Sequence, residues 1–271
     1  MSSPLVSCIL TCSSSNRVNL ARKAVNNFIQ QYYKPYELLI VNSTGTPILT
    51  NKELTSPVDR QEGNHLIEIP ATPGLNSASM KNVGLSAAQG DWVICIDDDD
   101  YFHPMRLLYQ MAHRVNNQPC MLQYQLMIDI TKVLTEAKSD NPVQPILHLL
   151  KRSHGIPSTM LFPRLSNSGE AFLFNTTLNI GEYDELLAHM IAKGYKPTAC
   201  QNSNNRLVPE LDLPLLSIAV YHGLNELQPY QFFSPTESQN TVDTLNTHNM
   251  QLLQRVLRLY DFEVSLTANK D

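Results

Sequence analysis

The chain has 271 residues, a formal net charge of −5 at pH 7 and 42% hydrophobic residues, which suits one larger α/β domain with an appendage and excludes a disordered chain. The negative charge and the scattered Lys and Arg argue against nucleic acid as a partner. No apolar run approaches the roughly 20 residues that span a bilayer, and Met1-Ser2-Ser3-Pro4 lacks the basic start of a secretory leader, so a cytoplasmic protein is expected, free or peripheral at a membrane.

Val6 to Thr11 is a short, β-rich apolar run, followed by a Ser-rich turn and by Leu20, Ala24, Val25 and Phe28 at helical spacing. Glu37 to Val41 and Leu66 to Ile69 are further short apolar runs, bounded by Pro, Gly, Asn or Ser, and predict strands. Asn76 to Gln89 carries Ala78, Val83, Leu85 and Ala87 and stops at Gly90, the pattern of a helix with a glycine end. Trp92 to Ile96 predicts a strand that runs directly into Asp97-Asp98-Asp99-Asp100, and Leu107, Leu108, Met111, Ala112 and Val115 mark the next helix. Strands alternating with helices predict an open, largely parallel sheet covered on both faces, in which ligands collect beyond the carboxyl ends of the strands.

The second half is less regular. Met121 to Ile130, Thr131 to Leu134, Thr159 to Phe162 and Leu215 to Tyr221 read as strands, and Pro145 to Leu150 as a short helix. Tyr183 to Lys193 predicts a helix closed by Gly194, and Val242 to Tyr260 an amphipathic C-terminal helix. Cys8, Cys12, Cys95, Cys120 and Cys200 include no CxxC pair and no Cys/His grouping at zinc spacing, so reduced core thiols are expected.

The acidic run is the strongest sign of a site. Four successive carboxylates repel one another and need a cation, a helix N-terminus or abundant water. In an extended segment Asp97 and Asp99 project to one side, an oxygen donor set that suits Mg²⁺ or Mn²⁺ rather than Zn²⁺. The competing reading is a solvated acidic turn that complements the helix after Pro104.

The order of segments resembles the inverting family 2 glycosyltransferases of the glycosyltransferase-A fold. Val6-Ser7-Cys8-Ile9-Leu10-Thr11 with Asn16-Arg17 is similar to that family's opening strand and Asn-Arg turn, and Lys34 to Val41 to its second strand. Ser79-Met80-Lys81-Asn82-Val83-Gly84 and Ala88-Gln89-Gly90-Asp91-Trp92 resemble the helix and glycine turn before its metal-binding strand end, with Asp97-Asp98-Asp99 at the DXD position. The resemblance covers roughly residues 4 to 110. It implies a Rossmann-like, mostly parallel central sheet in residues 1–230, with a nucleotide-sugar half over about 1–115 and an acceptor half over about 116–230, and a helical extension over 231–271. It implies an enzyme that moves a sugar from a nucleoside-diphosphate sugar to a hydroxyl of a carbohydrate, lipid-linked or protein acceptor, using Mn²⁺ or Mg²⁺.

Carried onto this sequence, the resemblance makes Asp97 and Asp99 metal and donor acids, Asp98 an accessory acid, and Thr11, Arg17, Lys81 and Asn82 donor-binding residues. Asn42-Ser43-Thr44-Gly45 replaces the family's usual acidic pair after the second strand, leaving Asn42 to meet the base through its amide. Gly181-Glu182-Tyr183-Asp184-Glu185-Leu186 is similar to the segment that carries the general base, with Asp184 first and Glu182 second in line. His222, in a His-Gly loop after the last strand, is a further metal or diphosphate ligand, and His154 to Thr159 lie on the acceptor side. Two other readings stand beside this one: a non-catalytic nucleotide- or carbohydrate-binding relative, and a nucleotidyltransferase, which the lack of a Gly-rich phosphate loop disfavours.

Overall fold

The computed structural model describes residues 3–49, 64–129, 131, 146–178, 180–200, 216–221, 239–240 and 254. Strand β1 (Val6–Cys12) leads through a 3-10 turn (Ser15–Arg17) into α1 (Val18–Phe28). Then come β2 (Tyr36–Asn42), β3 (His65–Pro70), α2 (Ser77–Ala87) and β4 (Trp92–Asp97). The chain continues through β5 (Tyr101–Phe102), α3 (Arg106–His113), β6 (Cys120–Leu122) and β7 (Tyr124–Asp129). Then follow β8 (Ile146–Lys151), β9 (Leu161–Pro163), α4 (Glu182–Ala192), β10 (Thr198–Cys200), β11 (Ser217–Tyr221) and β12 (Gln239–Asn240).

A seven-stranded sheet runs β10-β6-β9-β4-β1-β2-β3, with β9 antiparallel to both its neighbours and the other pairings parallel. Its central strands are largely apolar because both faces are covered. Cys8, Leu10, Leu38, Ile40, Ile94 and Ile96 point to the side of α1 and α3. Ile9, Leu39, Val41, Val93 and Cys95 point to the side of α2 and α4, the two-residue period of a strand. On α1 the inward residues Val18, Ala21, Ala24, Val25 and Phe28 recur at helical spacing.

The strand order reverses at β1, which has β2 on one flank and β4 on the other, and a cleft opens at such a point beyond the carboxyl ends. Thr11 and Asp97 are register partners there. Below them, Glu37 is buried and accepts from Ser7 Oγ, from the Gln89 N–H (2.6 Å) and from the Gly90 N–H (3.2 Å), tying the turn before β4 to β1 and β2. Gly90 is required by close approach: a Cβ there would lie 2.6 Å from both N and Oγ of Ser7.

The second sheet runs β12-β8-β7-β11-β5. The expected strand over Met121 to Ile130 is divided at Gln123: β6 belongs to the first sheet and β7 to the second. The helix expected over Pro145 to Leu150 is strand β8 instead, paired antiparallel with β7 so that Leu149 meets Leu126; a short apolar run has no period to separate the two, and the partner strand decides. The strand expected over Thr159 to Phe162 begins later, after a 3-10 turn at Pro157–Thr159. Thr131 is helical rather than the start of a strand.

The cysteines divide. Cys8, Cys12 and Cys95 are free and buried as expected, whereas Cys120 and Cys200, brought side by side on β6 and β10 with Cα atoms 6.3 Å apart, form a disulfide. Among the described residues no helix is long and apolar enough to cross a membrane. The expected C-terminal helix lies outside them except for Gln254.

Candidate functional site

A cavity of about 310 Å³ opens where the switch point of the large sheet meets the face of the second sheet. Its acidic end is the turn after β4. The run is not extended as expected: Asp98 and Asp99 form a turn closed by the Asp100 N–H donating to the Asp97 carbonyl (3.3 Å), and all four aspartates line the cavity. Arg17, delivered by the 3-10 turn after β1, pairs through Nη2 with Asp98 and, at 2.7 Å, with Asp99. The Asn-Arg turn thus neutralises part of the acidic run directly.

One guanidinium shared between two carboxylates leaves the run short of positive charge. Burial, with Asp99 beside it, pushes the Asp98 carboxyl up to about 8 in spite of Arg17. Burial likewise raises Asp97, against the pull of Lys81, and Asp100, against that of Arg106. Among the described residues no group of three or more His, Cys, Asp or Glu side chains is arranged to hold a metal by itself. Asp97 and Asp99 are nevertheless a fitting partial donor set: Mg²⁺-type ions take one or two carboxylates and complete their shell with phosphate oxygens and water, and a cation offsets the negative charge gathered in this turn.

A further part of the wall comes from α4. Gly181, at φ 81°, turns the chain so that the helix begins at the cavity edge, a left-handed conformation that glycine adopts without strain. Glu182, Tyr183 and Asp184 line the cavity from its first turn, where carboxylates also complement the helix dipole. Lys81, 1% exposed on α2, donates to Glu182 at 2.8 Å and lies 4.2 Å from the Tyr183 ring centroid. Burial alone would lower the ammonium, but Asp97 and Glu182 outweigh it and raise it. Asp184 is exposed to the cavity, and none of the hydrogen bonds or ion pairs of the described residues engages its carboxylate.

The cavity therefore brings together Thr11, Arg17, Lys81, Asp97, Asp98, Asp99, Glu182 and Asp184. It does not include Asn42 or Asn82. Asn42 spends its amide inside its own turn, donating to Thr46 O and Glu68 Oε1 and accepting from the Thr44 N–H and hydroxyl. Asn82 exchanges two hydrogen bonds with the backbone of Phe174 (2.9 and 2.8 Å), holding the segment before α4 against α2. His222 lies outside the described residues. Of the His154 to Thr159 segment, Ile156, Pro157 and Ser158 reach the cavity, and Trp92 is core. Sequence reasoning missed Gln125, Met127, Arg152 and Tyr183 as lining residues; of these only Tyr183 carried a signal, its place between the two candidate acids.

The sequence model of Glycosyl transferase family 2 matches residues 12–168. A putative colanic acid biosynthesis glycosyl transferase of Escherichia coli K12 is 28% identical over 99 residues, which cover 36% of this chain and 34% of that protein. Among solved structures, a Pyrobaculum calidifontis mannosyltransferase in complex with GDP-Man and Mn²⁺ aligns with a TM-score of 0.50 at 14% identity, covering 85% of this chain and 60% of that one. S. aureus TarS in complex with UDP-GlcNAc aligns with a TM-score of 0.49 at 12% identity, covering 98% and 68%. The chain thus spans about a third of its curated relative and three fifths of the mannosyltransferase chain. The mixed sheet with helices on both faces is the glycosyltransferase-A architecture, and, with a match over more than half of its length, the chain belongs to glycosyl transferase family 2.

Proposed function

We propose that the protein is a metal-dependent, inverting glycosyltransferase that moves a sugar from a nucleoside-diphosphate sugar to an acceptor hydroxyl. The observation that carries this reading is that the acidic turn after β4 and the exposed carboxylate of Asp184 line one cavity. The nucleotide would lie over the carboxyl ends of β1 and β4, beside Thr11. Asp97 and Asp99 would hold Mn²⁺ or Mg²⁺, a cation that supplies neutralisation of the diphosphate as it leaves. Arg17 orients the acidic turn and adds a second positive charge at that end of the cavity.

In this reading Asp184 is the general base. Lys81 engages Glu182 in an ion pair, which holds the first turn of α4 in place and leaves Asp184 free to accept a proton. The acceptor oxygen bonds to the anomeric carbon from the face opposite the phosphate, the bond to the phosphate oxygen breaks, and the acceptor proton passes to Asp184. The leaving group departs as the nucleoside diphosphate. The family match supports sugar transfer, and the GDP-Man and Mn²⁺ complex of the mannosyltransferase agrees with the donor and metal classes.

The test is release of nucleoside diphosphate from a panel of nucleotide sugars with Mn²⁺ present or chelated. Release that requires the metal and is lost in a folded Asp99→Ala variant is expected; an Asp99→Ala protein as active as wild type contradicts the reading.

A further inference from the structure

Among the described residues, three cationic side chains line the cavity: Arg17, Lys81 and Arg152. Two are matched by acids: Arg17 by Asp98 and Asp99, and Lys81 by Glu182. Among the described residues Arg152 has no such partner. Its Nε is shielded from solvent and makes no hydrogen bond, and no acidic side chain among the described residues pairs with it.

The base of that side chain is fixed. The Arg152 N–H donates to Gln123 O (3.0 Å), continuing the β7–β8 ladder, and its carbonyl accepts from the Gly155 N–H (3.1 Å). The neighbouring cavity wall is Leu150, Ile156 and Pro157, with Ser158 and Gln125 as its polar groups, 3.4 Å apart. Arg152 is half-buried, and its shielded Nε lacks the hydrogen bond that an incoming acceptor group would supply. The arrangement is that of a recognition group whose partner arrives with the ligand.

Position separates this cation from the donor end. In the second sheet β8 stands three strands from β5, which directly follows the acidic run, and three strand spacings are about 14 Å. A diphosphate held at Asp97 and Asp99 would sit at the far side of that sheet.

We propose that Arg152 is the specificity-determining residue of the acceptor subsite and that the acceptor carries an oxyanion, a phosphate or a carboxylate, which the Arg152 guanidinium binds through paired N–H donors. This assignment rests on the transferase reading for the word acceptor; the anion site itself is tested independently. Glucose 6-phosphate, glucuronate and glucose, which differ only at one carbon, are titrated into the full chain by calorimetry. In the same samples, binding of a nucleoside diphosphate with Mn²⁺ and hydrolysis of its nucleotide sugar are measured.

At least one anionic probe is expected to bind about tenfold or more tightly than glucose, and the stronger of the two identifies the oxyanion. Arg152→Gln removes that preference, Arg152→Lys keeps part of it, and both leave nucleotide binding and hydrolysis unchanged. The proposal is overturned if neither anion binds better than glucose, if Arg152→Gln keeps the preference, or if Arg152→Gln weakens the nucleoside diphosphate equally, which would assign the residue to the donor. Wild-type protein that binds an anion through Arg152 yet hydrolyses no nucleotide sugar would remove the transferase reading and leave the anion site standing.

Discussion

Lys81 Nζ lies 2.8 Å from Glu182 Oε1, joining residues 101 positions apart and placing the start of α4 against α2. The ammonium also answers Asp97. Lys81→Met would leave two acids uncompensated, whereas Glu182→Gln would leave Lys81 with Asp97. Loss of a buried charge partner costs about 3 kcal/mol at the lower end of the usual range, and that end applies because Glu182 is partly solvated. Urea unfolding should show a loss of this order for Lys81→Met and a smaller one for Glu182→Gln. Equal losses would mean that Asp97 contributes nothing to holding the lysine.

In the proposed mechanism the same ion pair separates the roles of Glu182 and Asp184. Asp184→Asn is expected to lower kcat by about 100-fold or more with nucleotide affinity unchanged, while Glu182→Gln lowers kcat less. Steady-state rates beside nucleotide titrations separate the cases. A larger kcat loss in Glu182→Gln would exchange the two roles.

Burial and the charge of Asp99 push Asp98 up to about 8, and Asp97 and Asp100 move in the same direction. An acid raised above its unfolded value, near 4, holds its proton more tightly when folded, so stability from this run is greatest below about pH 4 and declines as pH rises toward 8. For metal-free protein, Asp98→Asn should therefore raise Tm relative to wild type more at pH 8 than at pH 5. Mn²⁺ favours the ionised run and should raise the wild-type Tm more at pH 8 as well. A larger Mn²⁺ shift at pH 5 contradicts this account of the acidic turn.

Gly90 has no room for a side chain, because the atoms a Cβ would strike are the N and hydroxyl of Ser7 on central strand β1 and the carbonyl of Leu5 just before it. Gly90→Ala should cost about 2 kcal/mol, typical of overpacking, and should disturb the Ser7–Glu37–Gly90 hydrogen bonds. Denaturant unfolding gives the value; a cost within about 0.5 kcal/mol, as at an ordinary surface site, would show that the turn can move.

The first half of the fold was legible because β1, β2 and β4 are buried on both faces and read as largely apolar runs, with Asp97 to Asp100 marking where the last one ends. The second half was less so, since strands such as β8 are defined by partners rather than by their own period. Arg17 was recognised by its place in a turn, but not its pairing with Asp98 and Asp99, which depends on β1 and β4 being neighbours. Lys81 and Glu182 were each recognised, but not their pairing, because they lie on different helices. Asn42 and Asn82 show the reverse: their amides suit a ligand, yet a local turn and the Phe174 backbone use them. Arg152 had no local pattern at all; only the β7–β8 pairing brings it to the cavity.

The most direct test of the central claim is calorimetric titration of GDP and UDP into wild-type and Asp99→Ala protein, each with and without Mn²⁺. The donor site described here predicts that Mn²⁺ tightens the preferred nucleotide by about tenfold or more, 1.4 kcal/mol, and that Asp99→Ala abolishes the increment in a folded protein. Equal affinity with and without Mn²⁺, or an increment that survives Asp99→Ala, would contradict it.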